Sequence, residues 1–383
     1  MLRRVLFVSK PIAPPFHDGT KCLVRDVALE LTRVKPIVMT TAGAPALESA
    51  AGRRAACGIE EARVYSGAGS FTPSFAANLR AAAWLLTHAR ADLWHFVFAP
   101  NARTSRAGRF LARSRRVPVL QTVASPPKSF ERSGRLLFGD VVVAQSRWTL
   151  ERLRTALEQE QGRAARNTRL ELIPPPLAAP VARPRAALAA ARFELGIAPQ
   201  APILTYPGDL ETSSGARAVA ELVAPLVREV SDLVVVFAYR AKSPRASEVA
   251  RSIAGALDPR HVRVKGDVGD VLSLIQTSSA VLFPVDDLWG KVDLPIVLLE
   301  AMALGVPVIA YDWGPLSELN GALHVPAGDH RALLSAALAI LREEGLRGRV
   351  VSEQRETVAR RHDAKLVARA YERLYLELLR EPP

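Results

Sequence analysis

Short aliphatic runs rich in Val, Ile and Leu alternate along the chain with longer stretches in which apolar residues recur every three or four positions. The first pattern predicts strands buried on both faces and the second predicts helices that cover them. Their alternation specifies parallel sheets joined by crossover helices. In the first half, strands are predicted over 4–9, 36–41, 92–98, 117–123, 140–144 and 170–173, with helices over 22–32, 79–89 and 103–114. A helix over 186–195 leads into a second alternation. Its strands are 203–206, 233–238, 262–264, 280–283, 306–310 and 322–325, and its helices 216–230, 247–256, 268–277, 295–304 and 329–344.

The two alternations meet where Ile173-Pro174-Pro175-Pro176 ends a strand and Pro180 and Pro184 keep the chain irregular. The fold class is therefore α/β, with two Rossmann-like doubly wound domains facing across a cleft. Ligands are expected outside the carboxyl ends of the strands. The first domain spans 1–180 and the second 181–363. The segment 364–383 holds a helix with Val367, Ala370, Tyr371, Leu374 and Leu378 at helical spacing, an amphipathic face that needs a partner surface.

Composition narrows the class. With 49% hydrophobic and 23% charged residues the chain reads as globular, and Cys22 and Cys57 alone are too few for a disulfide framework or a thiolate metal site. A reducing, cytoplasmic location is expected, because the apolar run Val5-Leu6-Phe7-Val8 is too short for a signal peptide. The apolar tract 294–311 is interrupted by Glu300 and by Gly305-Val306-Pro307, so it reads as helix then strand and no membrane span is expected. The net charge of +13 is uneven. Residues 1–180 carry 27 Lys and Arg against 13 Asp and Glu, while the remaining 203 carry 24 against 25. Two readings of that asymmetry stand: an anionic partner for the first domain, or a generally arginine-rich surface.

The most informative stretch runs from Val281 to Ala310: a strand, a polar loop, a helix with an apolar body, and a Gly-Val-Pro turn into another strand. Glu300 sits amid Leu298, Leu299, Ala301 and Met302, where a carboxylate is costly to bury without a partner. Two ribose hydroxyls suit such an acceptor, and the helix start near Leu294 and Pro295 is a natural seat for a diphosphate. This stretch resembles the donor site of family 4 glycosyltransferases, retaining enzymes of the GT-B fold. The likeness is carried by Glu300-Ala301-Met302-Ala303-Leu304-Gly305-Val306-Pro307, by Val281-Leu282-Phe283-Pro284 upstream, and by Gly314-Pro315-Leu316-Ser317-Glu318 and Val325-Pro326-Ala327-Gly328-Asp329 downstream.

The resemblance implies that the C-terminal helix returns to the first domain and that Glu300 binds the donor ribose. It also places the diphosphate near Gly208, Pro295 and Ile296. The chain departs from the pattern at several places. The first glutamate of the family's pair falls at Val292, leaving Asp293 either to contact sugar hydroxyls or to cap the helix. Asp209 and Ser214 stand where an Arg and a Lys usually clamp the diphosphate. Arg217, Arg240, Lys242 and Lys291 are candidate replacements, each otherwise a routine surface cation. Ala124 replaces a histidine often found in the first domain. His95, in Asp92-Leu93-Trp94-His95, matches the family's Asp-x-x-His pattern, and two readings stand: a catalytic group at the cleft, or a core or strand-end histidine with a satisfied backbone bond. The loop Pro14–Thr20 lies where the family has its Gly-rich acceptor loop, with Asp18 and Gly19 as acceptor-side candidates.

Arg106, Arg109, Arg113 and Arg116 fall on one face of a predicted helix beside Phe110. That face would hold the first domain on an anionic membrane, as a peripheral protein of its inner face, attract a phosphate-bearing acceptor, or simply be solvated. Nucleic acid is not expected, since aromatics are few and not interleaved with the arginines. The leading expectation is a glycosyltransferase moving a sugar, with retention, from a nucleotide-diphosphate donor to a hydroxyl of a sugar, lipid or small molecule. No cofactor or metal is required. The alternatives are a GT-B protein that binds or scaffolds without catalysis and, on the same fold, a nucleotide-sugar epimerase.

Overall fold

The computed structural model describes residues 2–16, 18–67, 73–131, 133–160, 168–241, 243–266, 268–288 and 291–380. The chain divides into two compact units. One comprises Met1–Ala178, Trp289–Ile296 and Arg361–Pro383; the other comprises Ala179–Leu288 and Val297–Arg360. The segment 291–296, which the sequence boundaries at 180 and 363 leave in the second domain, thus packs with the first unit.

In the first unit the order is β1 (Arg3–Val8), α1 (Gly19–Glu30), β2 (Val34–Thr41), α2 (Leu47–Ala51), β3 (Glu60–Tyr65), α3 (Phe75–Thr87), β4 (Leu93–Phe98), α4 (Ala102–Arg115), β5 (Val119–Val123), β6 (Val141–Ala144), α5 (Arg147–Gln159) and β7 (Arg169–Leu172). These strands form a parallel sheet in the order β3-β2-β1-β4-β5-β6-β7, so the order reverses at β1 and β4. The polar strand β3 and the helix α5 add to the elements the hydrophobic pattern predicts. β3 lies at the sheet edge, where only Val64 and Tyr65 are buried, so no apolar run announces it.

The second unit repeats the plan with α6 (Arg185–Glu194), β8 (Ile203–Tyr206), α7 (Gly215–Glu229), β9 (Val234–Tyr239), α8 (Pro244–Ala256), β10 (Val262–Gly266), α9 (Val271–Thr277), β11 (Ala280–Phe283), α10 (Ile296–Leu304), β12 (Val308–Asp312), β13 (Leu323–Pro326), α11 (His330–Arg342) and α12 (Glu344–Thr357). Its sheet order, β10-β9-β8-β11-β12-β13, reverses at β8 and β11. At the end of α10 the Gly-Val-Pro turn is a helix stop. Gly305 has φ +78°, and Val306 N–H reaches back to the Ala301 carbonyl at 2.9 Å, which a residue with a Cβ would strain to permit.

The last helix, α13 (Ala364–Leu378), belongs to the first unit. Its stripe of Val367, Ala368, Tyr371, Leu374, Tyr375 and Leu378 enters one hydrophobic core with Leu23, Val24, Val27 and Ala28 of α1 and Val5 and Phe7 of β1. Burial of that stripe removes the amphipathic face from water and supplies the main driving force for its docking. Glu372 fixes the register. It is 2% exposed, and its carboxylate accepts the backbone N–H groups of Thr32 and Arg33 just past α1.

Candidate functional site

In the second unit the carboxyl ends of β8 and β11 meet at the reversal of strand order, the place where open α/β sheets receive ligands. Two chain segments leave from there. After β8 comes Pro207–Gly215, organised around Tyr206. The Tyr206 hydroxyl donates to the Asp209 carbonyl at 2.8 Å, and its ring lies so close beneath Gly208 that a Cβ there would come within 2.6 Å of it. Gly215 is held as tightly, with the Pro284 carbonyl 2.9 Å and the Tyr206 hydroxyl 3.1 Å from where a Cβ would be. Gly208 is therefore required by the Tyr206 ring, a constraint the sequence does not reveal. Asp209 is 5% exposed and lies in this loop.

Ser214 begins α7, and its hydroxyl does not cap the helix. It donates instead to Asp286 Oδ2 at 2.5 Å, while Ser214 N–H donates to Asp286 Oδ1 at 3.0 Å. Asp286 follows β11 and was not among the candidates drawn from sequence. Its signal is its place three residues past a buried strand. Of the candidate cations, Arg217 is 84% exposed in its side chain and pairs with Glu221 at 3.2 Å one turn along α7, so it is spent on the helix surface. Arg240 lies half-buried immediately after β9. Lys242 lies outside the described residues.

Helix α10 carries Glu300. Ile296, Leu298, Leu299, Ala301 and Met302 are buried, whereas Val297, Glu300, Ala303 and Leu304 are half-buried. Positions 297, 300 and 304 share one face at helical spacing, so the carboxylate stands in the middle of the only partly open stripe of this apolar helix.

The remaining candidates are grouped in the first unit, and the structure corrects several of them. Of the two readings of His95, a group at the cleft or a core or strand-end histidine, the structure has the core one: it is fully buried in β4. Its Nδ1 is 2.8 Å from the Tyr375 hydroxyl and its Nε2 2.7 Å from Thr122 Oγ1, which in turn meets the Tyr371 hydroxyl at 3.1 Å. Burial lowers its pKa from the usual 6.5 to about 3, so the ring is neutral at physiological pH. It ties β4 and β5 to α13 and touches no accessible surface. The reason is strand alternation: Leu93, His95 and Val97 share the face that α1 and α13 cover.

Asp293 is also fully buried, and it receives the Ser146 hydroxyl at 2.7 Å. Ser146 is the N-cap of α5, accepting Thr149 N–H at 3.0 Å, so Asp293 braces the start of α5. Its neighbour Val292 packs on Gly19, where a Cβ would come within 2.6 Å of Val292 Cγ1. Gly19 is thus demanded by packing. Asp18 caps α1 through Thr20 and Lys21 N–H and pairs with Lys10 Nζ at 2.8 Å. Lys291 is half-buried, and Pro295 and Ile296 are buried at the start of α10.

The basic face of α4 is also redrawn. Arg106, Arg113 and Arg116 are exposed, and Phe110 is 64% exposed among them. Arg109 instead turns inward, its Nη2 donating to the carbonyls of Leu137 at 2.9 Å and Gly134 at 3.3 Å. Burial and the charge of Arg113 lower its pKa. Among the described residues no group of His, Cys, Asp and Glu is arranged to hold a metal, and no helix is long and apolar enough to cross a membrane.

Comparison with known proteins bears on the second unit most directly. Residues 201–343 match the family described as glycosyl transferases group 1. Over 132 residues the chain is 39% identical to phosphatidyl-myo-inositol mannosyltransferase of Mycobacterium leprae, covering 33% of this chain and 34% of that protein. Over 193 residues it is 25% identical to N-acetyl-alpha-D-glucosaminyl L-malate synthase of Bacillus anthracis, covering 49% of each. The chain thus aligns with about a third to a half of the length of the curated relatives it matches. Solved structures share the fold over nearly the full length. Sucrose-phosphate synthase of Thermosynechococcus elongatus superposes with a TM-score of 0.72 at 19% identity, covering 98% of this chain and 99% of that one. The HepE protein of Anabaena, solved with UDP and glucose, does so at 0.70 and 15%, covering 98% and 100%. The chain therefore carries a group 1 glycosyltransferase domain over residues 201–343, within the two-sheet α/β fold of GT-B glycosyltransferases.

Proposed function

We propose that this chain is a glycosyltransferase whose second unit holds a nucleoside diphosphate sugar at the carboxyl ends of β8 and β11, with Glu300 receiving the ribose hydroxyls. The observation that carries this reading is the position of Glu300, a carboxylate on the one partly open stripe of an otherwise buried apolar helix, inside the group 1 glycosyltransferase domain. The HepE structure, solved with UDP and glucose, and relatives named as a mannosyltransferase and an N-acetyl-alpha-D-glucosaminyl L-malate synthase support a nucleotide-linked sugar as donor.

The transfer is proposed to retain configuration. The bond from the anomeric carbon to the diphosphate oxygen breaks, and the acceptor oxygen bonds to that carbon on the same face. The acceptor proton passes to the departing diphosphate. No protein nucleophile is assigned, and catalysis rests on positioning and charge stabilisation. The acceptor is proposed as a hydroxyl on a lipid or phosphate-bearing molecule. The exposed Arg106, Arg113 and Arg116 support this, as does the relative named for phosphatidyl-myo-inositol.

Calorimetric titration with UDP, GDP and ADP, together with a donor-turnover assay, tests the reading. Glu300→Ala should weaken the preferred nucleotide roughly 10- to 100-fold, the loss of charge-assisted bonds to a diol, with the melting temperature unchanged. Unchanged affinity removes Glu300 from the site. Nucleotide binding without turnover of any donor favours the second reading, a binding or scaffold protein. That reading is supported by Asp209 and Ser214 standing where the diphosphate clamp is expected.

A further inference from the structure

The reversal point of the second sheet carries an acidic latch where a departing diphosphate calls for positive charge. Asp286, following β11, accepts both the N–H and the hydroxyl of Ser214, the residue that opens the 15-residue helix α7 after β8. In an ordinary helix the N-cap side chain accepts from its own first turn and the free N–H groups welcome an anion. Here the Ser214 hydroxyl is used as a donor, the carboxylate of Asp286 lies against the N-cap residue's own N–H, and the Gly215 N–H donates to Ser213 Oγ at 3.4 Å. The surroundings hold that arrangement. Gly215 is wedged against the Pro284 carbonyl and the Tyr206 hydroxyl, and Gly208 against the Tyr206 ring. Further negative charge lies nearby. The Tyr206 hydroxyl has its pKa raised first by burial, then by the charge of Asp209, with Asp286 and Glu211 adding to it against a hydrogen bond from Ser213. Glu211 itself accepts from Ser243 at 3.2 Å.

We propose that Asp286 is a specificity-determining residue of the donor site, one that opposes the negative charge of the diphosphate and so sets how much of the donor's affinity comes from its phosphates. The proposal rests on the donor reading given above. A nucleoside diphosphate meets the Asp286 charge at the head of α7, whereas the nucleoside held at Glu300 does not. Binding energy is thereby shifted from the leaving group toward base and ribose.

The test compares UDP and GDP with uridine and guanosine by titration against wild type and Asp286→Asn. The asparagine removes the charge and keeps one oxygen to accept the Ser214 N–H, while its amide NH2 replaces Oδ2 and donates to the Ser214 hydroxyl oxygen; matched melting temperatures confirm the fold. Asp286→Asn is expected to bind the diphosphate roughly three- to tenfold more tightly, as for one unit charge about 3–6 Å away across a water-like dielectric. Nucleoside affinity should stay within about twofold, and the gain should shrink as salt is raised from about 0.05 to about 0.5 M. Diphosphate affinity that is unchanged or weaker in Asp286→Asn, with nucleoside affinity intact, overturns the proposal and leaves the donor reading standing. A wild-type protein that binds neither diphosphate nor nucleoside overturns both.

Discussion

His95 offers the sharpest test of how this structure uses its polar core. The ring is fully buried with both nitrogens engaged, and burial lowers its pKa to about 3. His362, which meets the Pro175 carbonyl at 2.9 Å in the same unit, is lowered to about 4 by the same cause. In the unfolded chain both titrate near 6.5. Above pH 6.5 neither state binds the proton and stability is at its full value. Below it the unfolded state gains protons that the folded rings refuse, so stability falls by about 1.4 kcal/mol per pH unit per histidine until the folded pKa is reached. From pH 6.5 to 5, before most carboxylates titrate, each histidine accounts for about 2 kcal/mol and the pair for about 4 kcal/mol.

The perturbation is His95→Phe, which keeps an aromatic ring in the core. At pH 7.5 it should cost about 1–3 kcal/mol, mainly from the Tyr375 hydroxyl left without its partner, since Thr122 keeps Tyr371. Half of the acid sensitivity disappears with the imidazole, so the gap between wild type and variant should narrow by about 2 kcal/mol between pH 7.5 and 5. Urea titrations at several pH values, following the transition of the first unit, measure both quantities. Parallel pH dependences for the two proteins would refute the buried neutral histidine. Sugar transfer per folded molecule at pH 7.5 should survive the change, whereas a catalytic His95 would lose it.

Two further outcomes follow from packing and surface charge. Gly19→Ala drives a Cβ against Val292 and should destabilise the first unit by about 1–3 kcal/mol, with Val292→Ala restoring most of the loss; a neutral Gly19→Ala would mean that Val292 does not rest on α1. Replacing Arg106, Arg113 and Arg116 together by Gln should weaken co-sedimentation with anionic vesicles by about 1 kcal/mol per residue, while Arg109→Gln should instead lower the melting temperature because it loses its bonds to the loop carbonyls of Gly134 and Leu137. Wild-type protein that treats anionic and neutral vesicles alike would dismiss the membrane role of this face.

Hydrophobic periodicity by itself determined the class of this protein. Strands such as 203–206 and 280–283 are buried on both faces, so their composition announces them, and helices such as α13 show their stripe before any partner is known. Glu300 stands out in the sequence for a related reason, as a charge among apolar neighbours, and the fold leaves it half-buried on α10. Tertiary structure alone decided what the polar residues do. His95 points into the core because of strand alternation and the arrival of a helix some 280 residues later, and Asp293 braces a helix whose N-cap lies 147 residues before it. Asp286 meets Ser214 only because β8 and β11 are neighbours in space. Burial patterns are written along the chain at short range. A hydrogen bond between distant residues costs the sequence no local signature, and so its meaning exists only once the fold has brought its two ends together.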